Sequence, residues 1–359
     1  MEQLTVGMIG LSHPHSLAHL RTFDASARVR GVALYDPDAG ARERAAGECR
    51  KAGKAYASLD DLLARTDVPV VCVALPNNEV PEVAARCARS GKHILCEKPC
   101  ARSAGEVQPV LEALATHQVQ FCVYYVWRRN PAILRMQELV QAGAIGRLTS
   151  VELRMVTTQV RFRDPSHWLF KREVAGGGVL SWLGCHWLDL LRFVTGQEVE
   201  SVSALMGTLS GEDISVEDAA TVSMRLSGGA LASLHAGYLL ASGRAGYESP
   251  AYDMTIILRG TEGTLSHPGY GDEQALTLES AAAGSQTAPR QVYHYTLPQS
   301  PAYGGAHGLA FVEQFLVAAL EGKGSSPAGA EDALRVLEIL DAIYISAEQE
   351  RVVHLGRGE

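Results

Sequence analysis

Several short stretches carry residue types that could do chemistry. IGLSHPHSLAH (9–19) follows the apolar run LTVGM and has the rhythm of a dinucleotide-binding turn: strand, glycine, tight loop, helix. Gly10 is its one glycine; Ser12 and His15 stand where two more would be expected. His13 and His15 flank Pro14, a spacing at which two imidazoles can share a metal ion, or at which they simply cap the following helix. No carboxylate lies near them in sequence, so no metal is expected. About twenty residues on, RVRGVALYD ends in Asp36, placed to accept hydrogen bonds from a ribose 2′-hydroxyl and to repel a 2′-phosphate. The competing role for Asp36-Pro37-Asp38 is a plain turn and helix cap. ALPNN (74–78) offers Pro76 and Asn77 either to a nucleotide or to a helix-initiating turn. CEKPC (96–100) sets Glu97 and Lys98 at the end of an apolar run, where a lysine next to a cofactor can donate to a substrate oxygen. Alternatively, the two form a solvated ion pair.

These residues need a frame. Up to residue 125, apolar runs (4–10, 28–36, 68–75, 92–96 and 119–125) alternate with helical patterns near 15–23, 38–52, 80–89 and 104–117. Strands apolar on both faces and separated by helices form a parallel sheet covered on both sides, which predicts an α/β, Rossmann-type domain over 1–125. Ligands then bind beyond the carboxyl ends of the strands, where all four stretches fall. The remainder, 126–359, reads as α+β. A helix at 131–142 precedes strand-like runs at 148–156, 199–207, 219–226, 230–238 and 252–260, which predict a large, mostly antiparallel sheet. VLSWLGCHWLDLLRFV (179–194) is a strong helix, two more are expected near 307–320 and 329–347, and SAAAGSQTAP (280–289) reads as a surface loop.

Composition narrows the function. With 359 residues there is room for two cores, and a formal net charge of −8 without a basic block argues against nucleic acid. No apolar run reaches the roughly 20 residues that span a bilayer, and no secretory signal opens the chain. Seven cysteines without a CxxC pair are expected to be reduced and buried, which suits the cytoplasm.

GKHILCEKP (91–99) resembles the EKP signature of the Gfo/Idh/MocA oxidoreductases. Asp36, PNN (76–78), RRNP (128–131) and the closing EDALRVLEILDAIYISAEQ (331–349) fit that family in order. EVAGGGVLSWLGCHWLDLLRFVTG (173–196) resembles its GGG-x-L-x-D-x-G-x-H-x-x-D helix. The resemblance implies hydride transfer between NAD and a carbinol carbon of a sugar, cyclitol or related polyol, with NADP disfavoured. It also implies that Lys98 holds the substrate hydroxyl and that His186 is the general acid/base. The open sheet of the second domain is implied to make a homodimer or homotetramer.

The departures are specific. Trp182 stands four residues before His186, where the family has aspartate; it either stacks on a sugar or packs in the helix. Asp189 is left to orient His186, and Val80 replaces a histidine. His15 and Pro14 predict a slightly displaced helix and modest NAD affinity. Arg128, Arg163, His167, Trp168 and Arg172 are further candidates for holding substrate. Two other readings stay open: a non-catalytic nucleotide or sugar sensor, and metal-assisted lyase or hydrolase chemistry using His13, His15 and either His19 or His186.

Overall fold

The computed structural model describes residues 3–241, 252–269 and 273–356, which form two compact units: 1–129 with 298–335, and 130–297 with 336–359. Set beside the expected contiguous division at 125/126, the first unit extends to 129 and 298–335 returns to it.

The first unit contains β1 (Leu4–Ile9), α1 (Ser16–Ala25), β2 (Val29–Tyr35), α2 (Ala39–Glu48), β3 (Ala52–Tyr56) and α3 (Leu59–Leu63). It continues with β4 (Val70–Val73), α4 (Val80–Arg89), β5 (His93–Cys96), α5 (Gln108–Thr116) and β6 (Phe121–Val123). The six strands are parallel in the order β3-β2-β1-β4-β5-β6, so the direction of winding reverses beside β1. Val6, Met8, Ile9, Val71, Cys72, Ile94 and Leu95 are fully buried, as a sheet covered on both faces requires. From α1, Leu20 and Phe23 enter this core, each contributing about 2 kcal/mol. β3 and α3 lie in a stretch not anticipated as regular structure, because AGKAY is largely exposed and LDDLL is too short to show a period.

The second unit begins with α6 (Pro131–Gln141), β7 (Leu148–Thr158), α7 (Arg172–Ala175), α8 (Cys185–Thr195), β8 (Val199–Gly207), β9 (Ala219–Leu226) and β10 (Leu231–Leu240). β11 (Tyr252–Gly260), β12 (Gly263–His267), β13 (Glu273–Ser280) and β14 (Arg290–Thr296) follow. α9 (Gly305–Glu321) belongs to the first unit, the division falls within α10 (Ala330–Gln349), and β15 (Val353–His354) is the last strand among the described residues. The nine strands run β14-β13-β12-β11-β7-β10-β9-β8-β15, antiparallel except for β7 against β10. One face is apolar, with Val151, Leu153, Val222, Met224 and Leu234 buried; the other carries Thr149, Glu152, Arg154, Thr221, Ser223, Arg225 and His235. β12 to β15 escaped the sequence reading because polar and small residues alternate through them, and β14 lies half-exposed at an edge. Residues 281–289 form the expected surface loop.

All seven cysteines are buried with free thiols, and no helix among the described residues is long and apolar enough to cross a membrane.

Candidate active site

At the carboxyl end of β1, Gly10 adopts φ +87°, and a Cβ there would stand 2.1 Å from the Ala74 carbonyl oxygen. Only glycine fits. The two other positions of the loop are managed by hydrogen bonds. The His15 N–H donates to His13 Nδ1 at 3.1 Å, the Ser16 N–H to the His13 carbonyl at 3.0 Å, and Ser16 Oγ to the Gly10 carbonyl at 2.7 Å. His13 therefore closes the turn that leads into α1, whose N-cap is His15, while Ser12 and Pro14 face solvent. Asp36 braces the same loop: its two oxygens accept the Leu11 N–H at 2.7 Å and the Asp38 N–H at 2.9 Å. Each carboxylate oxygen has a second lone pair, so this bracing is compatible with a ribose hydroxyl. Pro76 and buried Asn77 form the turn into α4, whose first residue, Val80, is fully buried.

Beyond β5, Glu97 and Lys98 are almost completely buried, and the Lys98–Pro99 bond is cis. A solvated ion pair is excluded by that burial. Glu97 Oε2 accepts the Lys98 N–H at 3.1 Å, while Oε1 lies 2.6 Å from His19 Nε2 and 3.2 Å from His15 Nδ1. Burial opposes ionisation of Glu97, but His15 and His19 overcome it and hold the carboxyl well below its ordinary range. Burial likewise disfavours a cationic His19, yet Cys72 and Glu97 beside it raise its pKa to about 10. Burial keeps His13 and His15 below the usual histidine value, with Glu97 opposing it in both cases. The result is a buried His19 cation paired with Glu97, with His13 and His15 beside it.

His13, His15 and Glu97 bring ligand atoms within 4.8 Å of one another, so the carboxylate missing from the local sequence is supplied by the fold. Their bonding pattern is nevertheless that of a hydrogen-bond network. Because His13 Nδ1 accepts a backbone N–H, its neutral ring carries the proton on Nε2; a metal there requires an imidazolate or a broken loop bond. Glu97 Oε1 is also engaged by the His19 cation.

Tyr303, which sequence reasoning missed, arrives from the returning segment. Its hydroxyl lies 2.9 Å from His15 Nδ1, its ring stacks on Tyr124 with centroids 5.0 Å apart, and its N–H donates to Thr22 Oγ1 at 2.8 Å. Nothing local announces this residue, since 288 positions separate it from His15. Arg128 forms an ion pair with Asp332 at 2.8 Å and donates to the Pro327 carbonyl at 3.1 Å.

In the second unit, His186, Trp182 and Asp189 are all buried. The helix that carries them opens with one α-type bond, from the Trp182 N–H to the Gly178 carbonyl at 2.9 Å, and then widens. Leu180–Gly184 is a π-turn in which the Cys185 N–H reaches back five residues to the Leu180 carbonyl. Four residues span close to one full turn in this wider geometry, so Trp182 and His186 stay near one face of the helix. The Trp182 ring meets Trp168 edge-on, with centroids 6.2 Å apart. His167 Nδ1 accepts the Leu169 N–H at 3.3 Å and caps a short turn. Arg163 donates to Thr157 Oγ1 at 3.2 Å and lies over Tyr238, whereas Arg172 is exposed and paired with Glu348.

Residues 4–125 match the family described as oxidoreductases with an NAD-binding Rossmann fold, and 133–266 match the GFO/IDH/MocA C-terminal domain. Levoglucosan dehydrogenase of Pseudarthrobacter phenanthrenivorans is 30% identical, over 98% of this chain and 97% of its own length. Inositol 2-dehydrogenase of Rhizobium meliloti is 26% identical over 94% and 95%. A solved structure of levoglucosan dehydrogenase with NADH and L-sorbose superposes with a TM-score of 0.85 at 26% identity, covering 99% of this chain and all of that one.

Proposed function

Because the chain belongs to the GFO/IDH/MocA family of NAD-binding oxidoreductases, we propose that it is an NAD-dependent dehydrogenase of a cyclic polyol: a sugar, an anhydrosugar or a cyclitol. The observation that carries this reading is Lys98, buried directly beyond β5 at the carboxyl ends of a parallel sheet.

The cofactor's fit to the first unit rests on the Gly10 turn, which no Cβ can enter, and on Asp36 at the end of β2. In this reading Gly10, Ser12, His13 and His15 form the diphosphate loop, Asp36 takes the ribose, Pro76 and Asn77 flank the base, and Glu97 and Lys98 border the nicotinamide. Bound NAD supplies the acceptor for the hydride that leaves the carbinol carbon. As that hydride leaves, the alcohol must lose its O–H proton. The Lys98 ammonium donates a hydrogen bond to the carbinol oxygen and stabilises its developing negative charge. His186 takes the proton, a role suited to a side chain that titrates near neutrality, and Asp189 orients its ring. The Trp168 and Trp182 rings, with His167 beside them, offer an apolar wall for the C–H face of a pyranose or cyclitol. Arg128 and Arg172 are engaged by Asp332 and Glu348, so this reading leaves them out of substrate binding.

The open sheet face, polar and half-charged, is the proposed contact for a homodimer or homotetramer, and seven buried thiols suit the cytoplasm.

The test is reduction of NAD⁺, followed at 340 nm, with levoglucosan, myo-inositol and a panel of related polyols. Turnover with NAD⁺ and little with NADP⁺ is expected, and K98A and H186A should each lower kcat by about 10²- to 10⁴-fold. NAD binding without turnover on any polyol would replace the dehydrogenase with the sensor reading, which the Trp182 substitution favours.

A further inference from the structure

The helix bearing Trp182 and His186 has an unusual beginning. Three glycines, Gly176 to Gly178, precede it, so no side chain is available there to accept its first N–H groups. Glu217, from the connection between β8 and β9, does this instead. Its Oε2 accepts the Gly178 N–H at 2.8 Å and its Oε1 the Leu180 N–H at 3.0 Å, while its main-chain carbonyl takes the Val179 N–H at 3.1 Å. Three consecutive N–H groups thus end on one residue. Tyr344 of α10 adds its hydroxyl to Oε1 at 3.1 Å.

The glycines are what permit this approach. A Cβ on Gly178 would stand 1.9 Å from the Glu217 carbonyl oxygen, and one on Gly177 would stand 1.7 Å from the Tyr344 hydroxyl. The motif is therefore a seat for a carboxylate and a phenol, and the carboxylate complements the positive end of the helix. Burial raises the Glu217 pKa, while the Gly178, Leu180 and Tyr344 donors oppose that shift.

A helix turns about 100° per residue, so the residue at which it is anchored decides where every later side chain points. The π-turn at Leu180–Gly184 starts within this anchor and sets the phase of all that follows. We propose that Glu217 is a positioning residue for the reaction: its carboxylate fixes the register of the helix and hence the aim of Trp182 and His186. This inference rests on the proton-exchanging role given to His186.

The test uses the full chain with E217Q, Y344F and H186A. An amide cannot accept both N–H groups in the same way, so E217Q should lower kcat about tenfold or more. NAD affinity, a property of the first unit, should stay within about twofold. The His186 ring resonances, assigned with H186A, should shift in E217Q while those of His13, His15 and His19 stay in place. A folded E217Q with wild-type kcat and unmoved His186 resonances overturns the inference. Where E217Q does not fold, Y344F decides. A fall in kcat of about threefold or more, with displaced His186 resonances, supports positioning; wild-type values overturn it. H186A separates this inference from the reading beneath it. Wild-type turnover in H186A removes the His186 role and the inference together, whereas an inactive H186A beside a fully active E217Q overturns the inference alone.

Discussion

In the proposed reaction the two units solve the same problem, holding a working side chain still, by opposite means. In the first, His13, His15, His19, Glu97 and Tyr303 form one buried polar network at the carboxyl ends of parallel strands, and Lys98 sits on it. In the second, His186 rides on a single helix whose surroundings are aromatic and whose register is anchored some way off by Glu217. A network shares its load, so the loss of one partner leaves others buried and uncompensated. A helix transmits position as a rigid body, so its failures are of aim rather than of charge. Substitutions within the first unit's His–Glu–Tyr network are accordingly expected to cost stability, and those around the second unit's helix to cost turnover.

H19Q tests the contrast most severely. It removes the cation paired with buried Glu97, and we expect a loss of about 3–5 kcal/mol, read by chemical denaturation. The same pair predicts a pH signature. The His19 pKa is raised from 6.5 to about 10, so its contribution is complete below pH 6.5 and fades as pH climbs through about 10. The Glu97 carboxyl lies well below 4.5, so its contribution is complete above pH 4.5 and is lost only as acid carries the pH through that lowered value. Between pH 6.5 and 10 the wild-type Tm should therefore fall more steeply than that of H19Q; parallel curves would remove the ion pair from the account.

G10A comes next. At φ +87° and with its Cβ 2.1 Å from the Ala74 carbonyl, it should cost about 2–4 kcal/mol and disrupt NAD binding measured by calorimetry. NAD affinity equal to wild type would show that the loop tolerates displacement. Y303F deletes one hydroxyl from the network, about 0.5–1.5 kcal/mol, and should weaken NAD roughly two- to tenfold with little change in kcat. The smallest effect is expected from W182F, which keeps an aromatic surface but loses the indole. The KM for the polyol should rise a few-fold, corresponding to about 0.5–1 kcal/mol, with NAD affinity unchanged. A change in NAD affinity instead would end the separation of roles between the units.

The legibility of the two sites differs for the same reason. Parallel strands deliver their carboxyl ends to one edge, so Gly10, Asp36, Asn77 and Lys98 could be grouped from spacing alone. Spacing could not show that Asp36 also accepts the Leu11 N–H, or that Arg128 is taken up by Asp332. In the second unit a four-residue interval placed Trp182 and His186 about one turn apart, but the π-turn at Leu180–Gly184 was invisible to the amino-acid pattern.

The stretch IGLSHPHSLAH divides along this line. Its residues by themselves determined a strand, a glycine turn and a helix, because apolar alternation and the φ +87° of Gly10 are local demands. The roles of His15 and His19 were decided only by tertiary structure. His13 closes the local turn, while His15 and His19 converge on Glu97, 82 and 78 positions away, and Tyr303 closes the network from the far end of the chain. An imidazole can be ligand, base, cap or cation; which one it becomes depends on the partners that folding brings within about 3 Å.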